Sequence, residues 1–331
     1  MLRMDPFAVE TPASVDEALA LLQLHGDKAK VVAGGTDVVP NIKHGLHEPE
    51  VIVHIGRLKE LQGVKDAGDH LEIGALTTLH DLSLDPLVRR FAPGLARAAS
   101  LVAGPQLRRM GTLGGNIALD TRCLFYNQTH FWREALGFCL KKDGTVCHVI
   151  AGGKKCVAAA SNDTATMLLC LDATVEVKGP AGARVMALDD FYVPNGVKNT
   201  ILDPSDLLLR VRVKKSDPGV RRLEGYAKLR HRNAIDFPLL SVGVRFDVDD
   251  NDVVRAARAV VSALQAKPHK LTCDALLGRV LDGGCVEELA QQAFKKCAPV
   301  KNIADDPAWR RDMVPVMVRR ACDEARGLSS S

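Results

Sequence analysis

The chain has 331 residues, 47% apolar and 25% charged, a size and balance that fit a soluble protein of two domains or three. With 44 Lys and Arg against 40 Asp and Glu, the net charge of +4 is too small and too mixed for a dedicated nucleic-acid binder, and 4% aromatics argue against stacking platforms for single strands. No apolar run reaches the roughly 18 residues needed to cross a bilayer, so no membrane insertion is expected.

Met1–Glu10 lacks a charged start followed by an apolar core, which predicts no secretory signal and a cytoplasmic location. Nine cysteines in such a chain are expected to be mostly reduced thiols, and the odd number excludes full internal pairing. Ser14 and Glu17 have capping-box spacing, and Ala18, Leu19, Leu21 and Leu22 continue a helical apolar face. Lys30-Val31-Val32 reads as a buried strand ending at Gly34-Gly35. Val38 to His44 is helix-compatible, and Val51 to Ile55 reads as a second strand. Strand, glycine turn, helix and strand make a small parallel βαβ unit.

From Leu71 the signal changes to short strands and turns, with one helix near Gly94 to Leu101. Ala173 to Val185 predicts a hairpin turning at Gly179-Pro180-Ala181-Gly182, and Leu207 to Val213 another strand. Lys214 to Gly219 is charged and turn-rich, and is the best domain boundary. Strands follow near Leu223–Leu229 and Val242–Val248, then helices at Cys273–Leu281, Val286–Lys296 and Trp309–Glu324. Ser329–Ser331 is expected to be a frayed end.

Two glycine turns carry chemistry. Ala33-Gly34-Gly35-Thr36-Asp37 follows a strand, so its paired glycines and hydroxyl suit an anion; it is equally an ordinary strand-to-helix turn. Thr112-Leu113-Gly114-Gly115-Asn116 repeats that chemistry, and two such loops suggest one long ligand with a diphosphate. Neither has the dinucleotide-fingerprint or P-loop spacing.

Four of the nine cysteines, Cys123, Cys139, Cys147 and Cys156, fall within 34 residues, separated by 15, 7 and 8 others. None forms Cys-x-x-Cys. The segment is polar and rich in Gly and Lys, so it buries little apolar area and needs something else to order it. Incidental thiols, structural zinc and an iron–sulfur cluster all remain open. Lys141, Lys142, Lys154 and Lys155 stand near the thiols, where they either stabilise thiolates or form a solvated face. His148 is a spare candidate ligand.

Taken in order, these landmarks resemble the FAD-binding medium subunit of the xanthine-oxidase family of molybdenum enzymes. They include Val102-Ala103-Gly104-Pro105-Gln106, Gly111 to Ile117, and Asp163 ahead of Leu171-Asp172-Ala173. Asp120-Thr121-Arg122-Cys123, Phe125 to Gln128, Cys139-Leu140-Lys141 and Cys147-His148-Val149 are similar to the β subunit of 4-hydroxybenzoyl-CoA reductases. The resemblance implies an α+β fold. A vanillyl-alcohol-oxidase-like FAD-binding domain would span residues 1–218, with a small parallel βαβ subdomain and an antiparallel-sheet subdomain. Residues 120–158 would form an insertion binding a 4Fe-4S cluster. A C-terminal α+β domain, with a three-stranded sheet and a helical bundle, would span residues 219–331.

The same resemblance implies FAD held by Val31, Val32, Ala33, Gly34, Gly35, Thr36 and Asp37, and by Thr112, Gly114, Gly115 and Asn116. It implies a backbone contact from Val102, an acceptor at Asp163 and a cation at Lys228, with Arg230 and Arg232 as possible substitutes. Cys123, Cys139, Cys147 and Cys156 would ligate the cluster. Partners would be a large molybdenum-cofactor subunit and a small 2Fe-2S subunit in a dimer of heterotrimers, with ferredoxin as an external carrier. The rival readings are the flavin subunit of an aldehyde or N-heterocycle dehydrogenase or hydroxylase of the same family, a stand-alone flavin oxidoreductase and a zinc-ordered scaffold.

Overall fold

The computed structural model describes residues 2–328, so Ser329–Ser331 lie outside the described residues. Three sheets organise the chain. In the first, β1 (Ala8–Glu10), β2 (Ala29–Val32) and β3 (Val51–His54) run parallel in the order β1-β3-β2. The expected βαβ unit is present, with its helix at Val38–Lys43. Sequence reading missed β1 because its three residues are exposed and carry no apolar pattern. Ser14 caps the helix Val15–His25, its hydroxyl accepting from the Glu17 amide at 3.1 Å.

The second sheet is antiparallel. Its strands are β4 (Val64–Asp66), β5 (His70–Gly74), β6 (Thr174–Gly179), β7 (Gly182–Ala187) and β8 (Leu207–Lys214), in the order β4-β5-β8-β6-β7. β6 and β7 form the expected hairpin. Val175, Val177, Val211 and Val213 on this sheet pack with Leu95 and Leu168 in the main core. Those last two belong to the helices Pro93–Ser100 and Asp163–Cys170.

The third sheet contains β9 (Arg221–Leu229), β10 (Leu240–Val248), β11 (Val254–Ser262) and β12 (His269–Leu271). Its order is β12-β11-β10-β9, so it has four strands where three were expected. The fourth is easily missed: β12 is three residues long, and Arg255 and Arg258 interrupt the apolar signal of β11. Helices Gly283–Lys296 and Pro307–Ala325 cover the sheet as expected. Cys273–Leu281 is not a helix. It holds one short turn, Asp274–Leu276, after which Leu277 is extended and Gly278 has φ +76.

Helix Asp163–Cys170 joins the halves. All eight of its residues are buried, and Thr166 hydrogen-bonds Ser241 of β10 at 3.2 Å. The insertion at residues 120–158 contains one helix, His130–Ala135, among turns. Its own side chains help to order it, which revises the expectation that only a bound group could. Arg133, 1% exposed, donates to Gly45 O at 2.8 Å and pairs with Asp143 at 3.2 Å. Buried Asn302 donates to Val157 O at 2.6 Å and accepts from the Leu124 amide at 2.8 Å. Leu46, Tyr126 and Ala158 form a small apolar nucleus with three of the cysteines.

Candidate functional site

The two glycine loops meet, although about 80 residues separate them. A Cβ on Gly34 would lie 1.8 Å from Met110 O, so only hydrogen allows the approach. Among the described residues, nothing accepts from the amides of Gly34, Gly35, Thr36 or Asp37, or pairs with the Thr36 hydroxyl. Gly35 has φ +70, and a run of free N–H groups such as this suits an anion.

The second loop is different. Leu113 N donates to Thr77 O at 2.9 Å and Gly114 N to Ala75 O at 2.7 Å, while Gly115 N donates to Thr112 Oγ1 at 3.1 Å. Asn116 Oδ1 accepts from Thr164 N at 3.0 Å and from Thr164 Oγ1 at 2.6 Å. The loop's amides are therefore taken by Thr77, Ala75 and its own Thr112, and Asn116 Oδ1 fixes the start of the helix that begins at Asp163.

Asp163 and Lys228 face each other across the domain junction. Lys228 Nζ lies 3.1 Å from Asp163 Oδ2 and donates to Leu101 O at 3.0 Å, with both side chains buried. Tyr226 OH donates to Asp163 Oδ1 at 2.6 Å. Burial pushes the Asp163 carboxyl upward, and the Lys228 ammonium opposes that. Lys228 is thus not an exposed strand lysine. Asp163, expected as a ligand acceptor, already accepts from Lys228 and Tyr226.

Arg230 Nη1 also donates to Leu101 O, at 3.3 Å, and Arg108 Nη1 donates to Val102 O at 2.8 Å. Three cations therefore gather on Leu101–Val102. Arg232 does not join them and pairs with Asp236 on an exposed loop. Sequence reading missed Arg108 and Tyr226, whose only signal is position: Arg108 lies between two of the quoted motifs and Tyr226 two residues before Lys228.

Cys123, Cys139, Cys147 and Cys156 line one small cavity, together with Phe125, Tyr126, Leu140, Lys141 and His148. All four are buried free thiols. Burial pushes the Cys123 thiol up to about 11, and the other three sulfurs add to it. His148 Nε2 donates to Phe138 O at 2.5 Å, so that nitrogen is not a free ligand. Among the described residues, no three His, Cys, Asp or Glu side chains form a group that could hold a metal ion.

Arg122 links this cavity to the first loop. It precedes Cys123, pairs with Asp37 at 2.9 Å and stacks 3.9 Å over Phe237. Burial raises the Asp37 carboxyl and Arg122 opposes it. Arg122, Ser161, His231, Phe237 and Leu239 line a second cavity of about 240 Å³ between the two halves of the chain.

The family model for the FAD binding domain in molybdopterin dehydrogenase matches residues 5–215. The chain belongs to this family. Within it, the model for the CO dehydrogenase flavoprotein C-terminal domain matches residues 225–325. The chain is 28% identical to the carbon monoxide dehydrogenase medium chain of Hydrogenophaga pseudoflava over 320 residues, covering 96% of each. It is 32% identical to the aldehyde oxidoreductase FAD-binding subunit of Escherichia coli over 273 residues, covering 80% of this chain and 82% of that one. A solved Hydrogenophaga pseudoflava carbon monoxide dehydrogenase chain superposes with a TM-score of 0.80 at 26% identity, over 99% of this chain and 100% of that one. The α+β architecture is that of these molybdopterin-dehydrogenase flavoproteins, and FAD binding follows from membership. No helix among the described residues is long and apolar enough to cross a membrane.

Proposed function

We propose that the chain is an electron-transfer subunit holding FAD and a 4Fe-4S cluster. It would work with a large molybdenum-cofactor subunit and a small 2Fe-2S subunit in a dimer of heterotrimers. Residues 1–218 form its FAD-binding domain, 120–158 the cluster insertion and 219–331 the C-terminal domain. One observation carries the cluster reading: four cysteines spread over 34 residues line a single cavity. Four thiolates on one zinc, at about 2.3 Å each, would close round a point. The likeness of the insertion motifs to the β subunit of 4-hydroxybenzoyl-CoA reductases favours the larger iron–sulfur group over zinc.

The two groups supply one-electron and two-electron redox chemistry that side chains lack. The chain's own residues bind and orient. Gly34, Gly35, Thr36 and Asp37 would hold the FAD diphosphate through free amides, backed by Val31, Val32 and Ala33 on β2 and its end. Thr112, Gly114, Gly115 and Asn116 would complete the diphosphate site from the second loop. Lys228, Arg230 and Arg108 keep positive charge at Leu101–Val102, which favours an electron-rich ring placed there. Asp163 fixes Lys228 in position. Cys123, Cys139, Cys147 and Cys156 would ligate the iron.

For the whole assembly we propose reductive dehydroxylation of 4-hydroxybenzoyl-CoA with electrons from a ferredoxin-type carrier. The likeness of the insertion motifs supports this. A second reading is the flavin subunit of an aldehyde or N-heterocycle dehydrogenase, with electrons running outward. The 32% identity to the aldehyde oxidoreductase subunit favours it.

Purified protein should show flavin bands and about four iron atoms per chain. Cys139→Ser should remove the iron and leave the FAD. Colourless protein with one zinc would overturn the reading in favour of a zinc-ordered scaffold. Turnover of aldehydes or of the aroyl thioester by the co-purified complex separates the two assemblies.

A further inference from the structure

We propose that Lys141 sets the reduction potential of the group held by the four thiols, acting as a fixed buried cation in the cavity wall. The inference rests on the cluster reading above and adds a residue to it. Lys141 lines the cavity beside all four cysteines, and its side chain is only 3% exposed. Its ammonium has three N–H donors. One reaches Asp120 Oδ1 at 2.7 Å, one Thr121 Oγ1 at 2.5 Å and one Gly196 O at 2.6 Å. The same Nζ sits 4.5 Å from the Tyr126 ring centroid, and Tyr126 OH donates to Asp120 Oδ2 at 3.0 Å. Every donor is satisfied, so the charge cannot swing away.

The partners adjoin residues that line the cavity. Asp120 and Thr121 lead directly into Cys123. Gly196 lies against Cys156: its N–H donates to Cys156 O at 3.1 Å, and a Cβ there would come within 2.7 Å of Cys156 Sγ. Lys141 itself follows Cys139 by two residues. One ammonium therefore ties together the segments carrying three of the four sulfurs.

The other lysines of the insertion differ. Lys154 and Lys155 are exposed, and Lys142 pairs with Glu48 and Asp143 at the surface. Water and salt screen exposed charges, whereas a buried charge acts through a lower dielectric. Reduction adds an electron to the bound group, so a buried cation beside it favours the reduced state. Asp120, paired with Lys141 at 2.7 Å, offsets part of that field.

The test is a dye-mediated redox titration of the purified complex, followed by electron paramagnetic resonance, with iron and FAD counted in each sample. Lys141→Met should keep the iron and shift the reduction equilibrium at least tenfold toward the oxidised state, 59 mV for one electron. Asp120→Asn should shift it the opposite way, and Lys142→Met should leave it unchanged. A fully loaded Lys141→Met protein with unaltered potential overturns the inference, as does an equal shift in Lys142→Met. If Lys141→Met cannot hold iron, the sign of the Asp120→Asn shift decides, and no shift overturns it. Wild-type protein without iron overturns the cluster reading itself, an outcome distinct from an unmoved potential.

Discussion

The two glycine loops have nearly the same side-chain chemistry and opposite states. In the first, four successive amides, Gly34 to Asp37, have no partner among the described residues. In the second, the amides of Leu113, Gly114 and Gly115 are taken by Thr77, Ala75 and Thr112, and Asn116 Oδ1 is taken by Thr164. The cause is the neighbour. Ala75 and Thr77 bring backbone carbonyls alongside the second loop, whereas the first loop meets Met110 at the Gly34 Cα, and none of its four N–H groups reaches an acceptor among the described residues. Paired glycines permit close approach in both places, and what approaches decides whether the loop binds a ligand or packs.

The largest effect expected from this difference is at Gly34. Gly34→Val would push a side chain into the Met110 carbonyl, 1.8 Å from the first new carbon, with backbone on both sides. The loops must separate, and FAD affinity should fall by roughly a hundredfold or more, about 3 kcal/mol. Gly114→Val meets Ala75 instead, at 2.8 Å. It should cost about 1–3 kcal/mol of folding stability as overpacking, with affinity falling less. Fluorescence titration with FAD and thermal melts of both variants check this, and tight FAD binding by Gly34→Val would break the distinction.

Much of this was legible in the residues. The βαβ unit, the β6–β7 hairpin and the two long C-terminal helices followed from periodicity and turn chemistry, and both glycine turns and the cysteine group from spacing. What was hidden depends on non-local partners. Lys228 reads as a strand lysine until Asp163, 65 positions away, is brought beside it. Lys141 and Lys142 are adjacent in sequence, yet one is walled in by Asp120, Thr121 and Gly196 and the other is at the surface. β12 was invisible because three residues carry no period, and Cys273–Leu281 misled because its apolar spacing mimics a helix, whereas the chain leaves helical geometry at extended Leu277 and at Gly278, φ +76.

An unpaired polar atom also occurs where no ligand is expected, and it marks a cost rather than a site. Glu224 on β9 accepts from Gly94 N at 2.9 Å, joining the two domains, but its Oε1 has no partner. Burial pushes this carboxyl from 4.5 to about 7. A raised native value means the folded chain holds the proton more tightly than the unfolded one. The contribution is therefore full below about pH 4.5 and lost as pH rises through about 7. Glu224→Gln should be more stable than wild type at pH 8 by up to about 3 kcal/mol, and no more stable at pH 4. Urea midpoints at the two pH values measure this, and an equal difference at both would remove the ionisation cause.

The smallest effect is the most direct comparison of the loops, because it changes one hydroxyl in each. Thr112 Oγ1 caps the short helix Leu113–Ile117 by accepting from Gly115 N at 3.1 Å. Thr112→Ala should cost about 1 kcal/mol of stability, the usual cost of a lost N-cap. FAD affinity should stay within about twofold, because this hydroxyl already has a partner within the chain. Thr36 Oγ1 has no such partner among the described residues, so Thr36→Val should leave the melting temperature unchanged. Its loss should appear in FAD affinity, about three- to tenfold, the worth of one hydrogen bond. Melting and FAD titration run on both variants give a two-by-two result. If Thr36→Val lowered stability and Thr112→Ala lowered affinity, the two loops would have exchanged roles, and the free amides of the first loop would need another explanation.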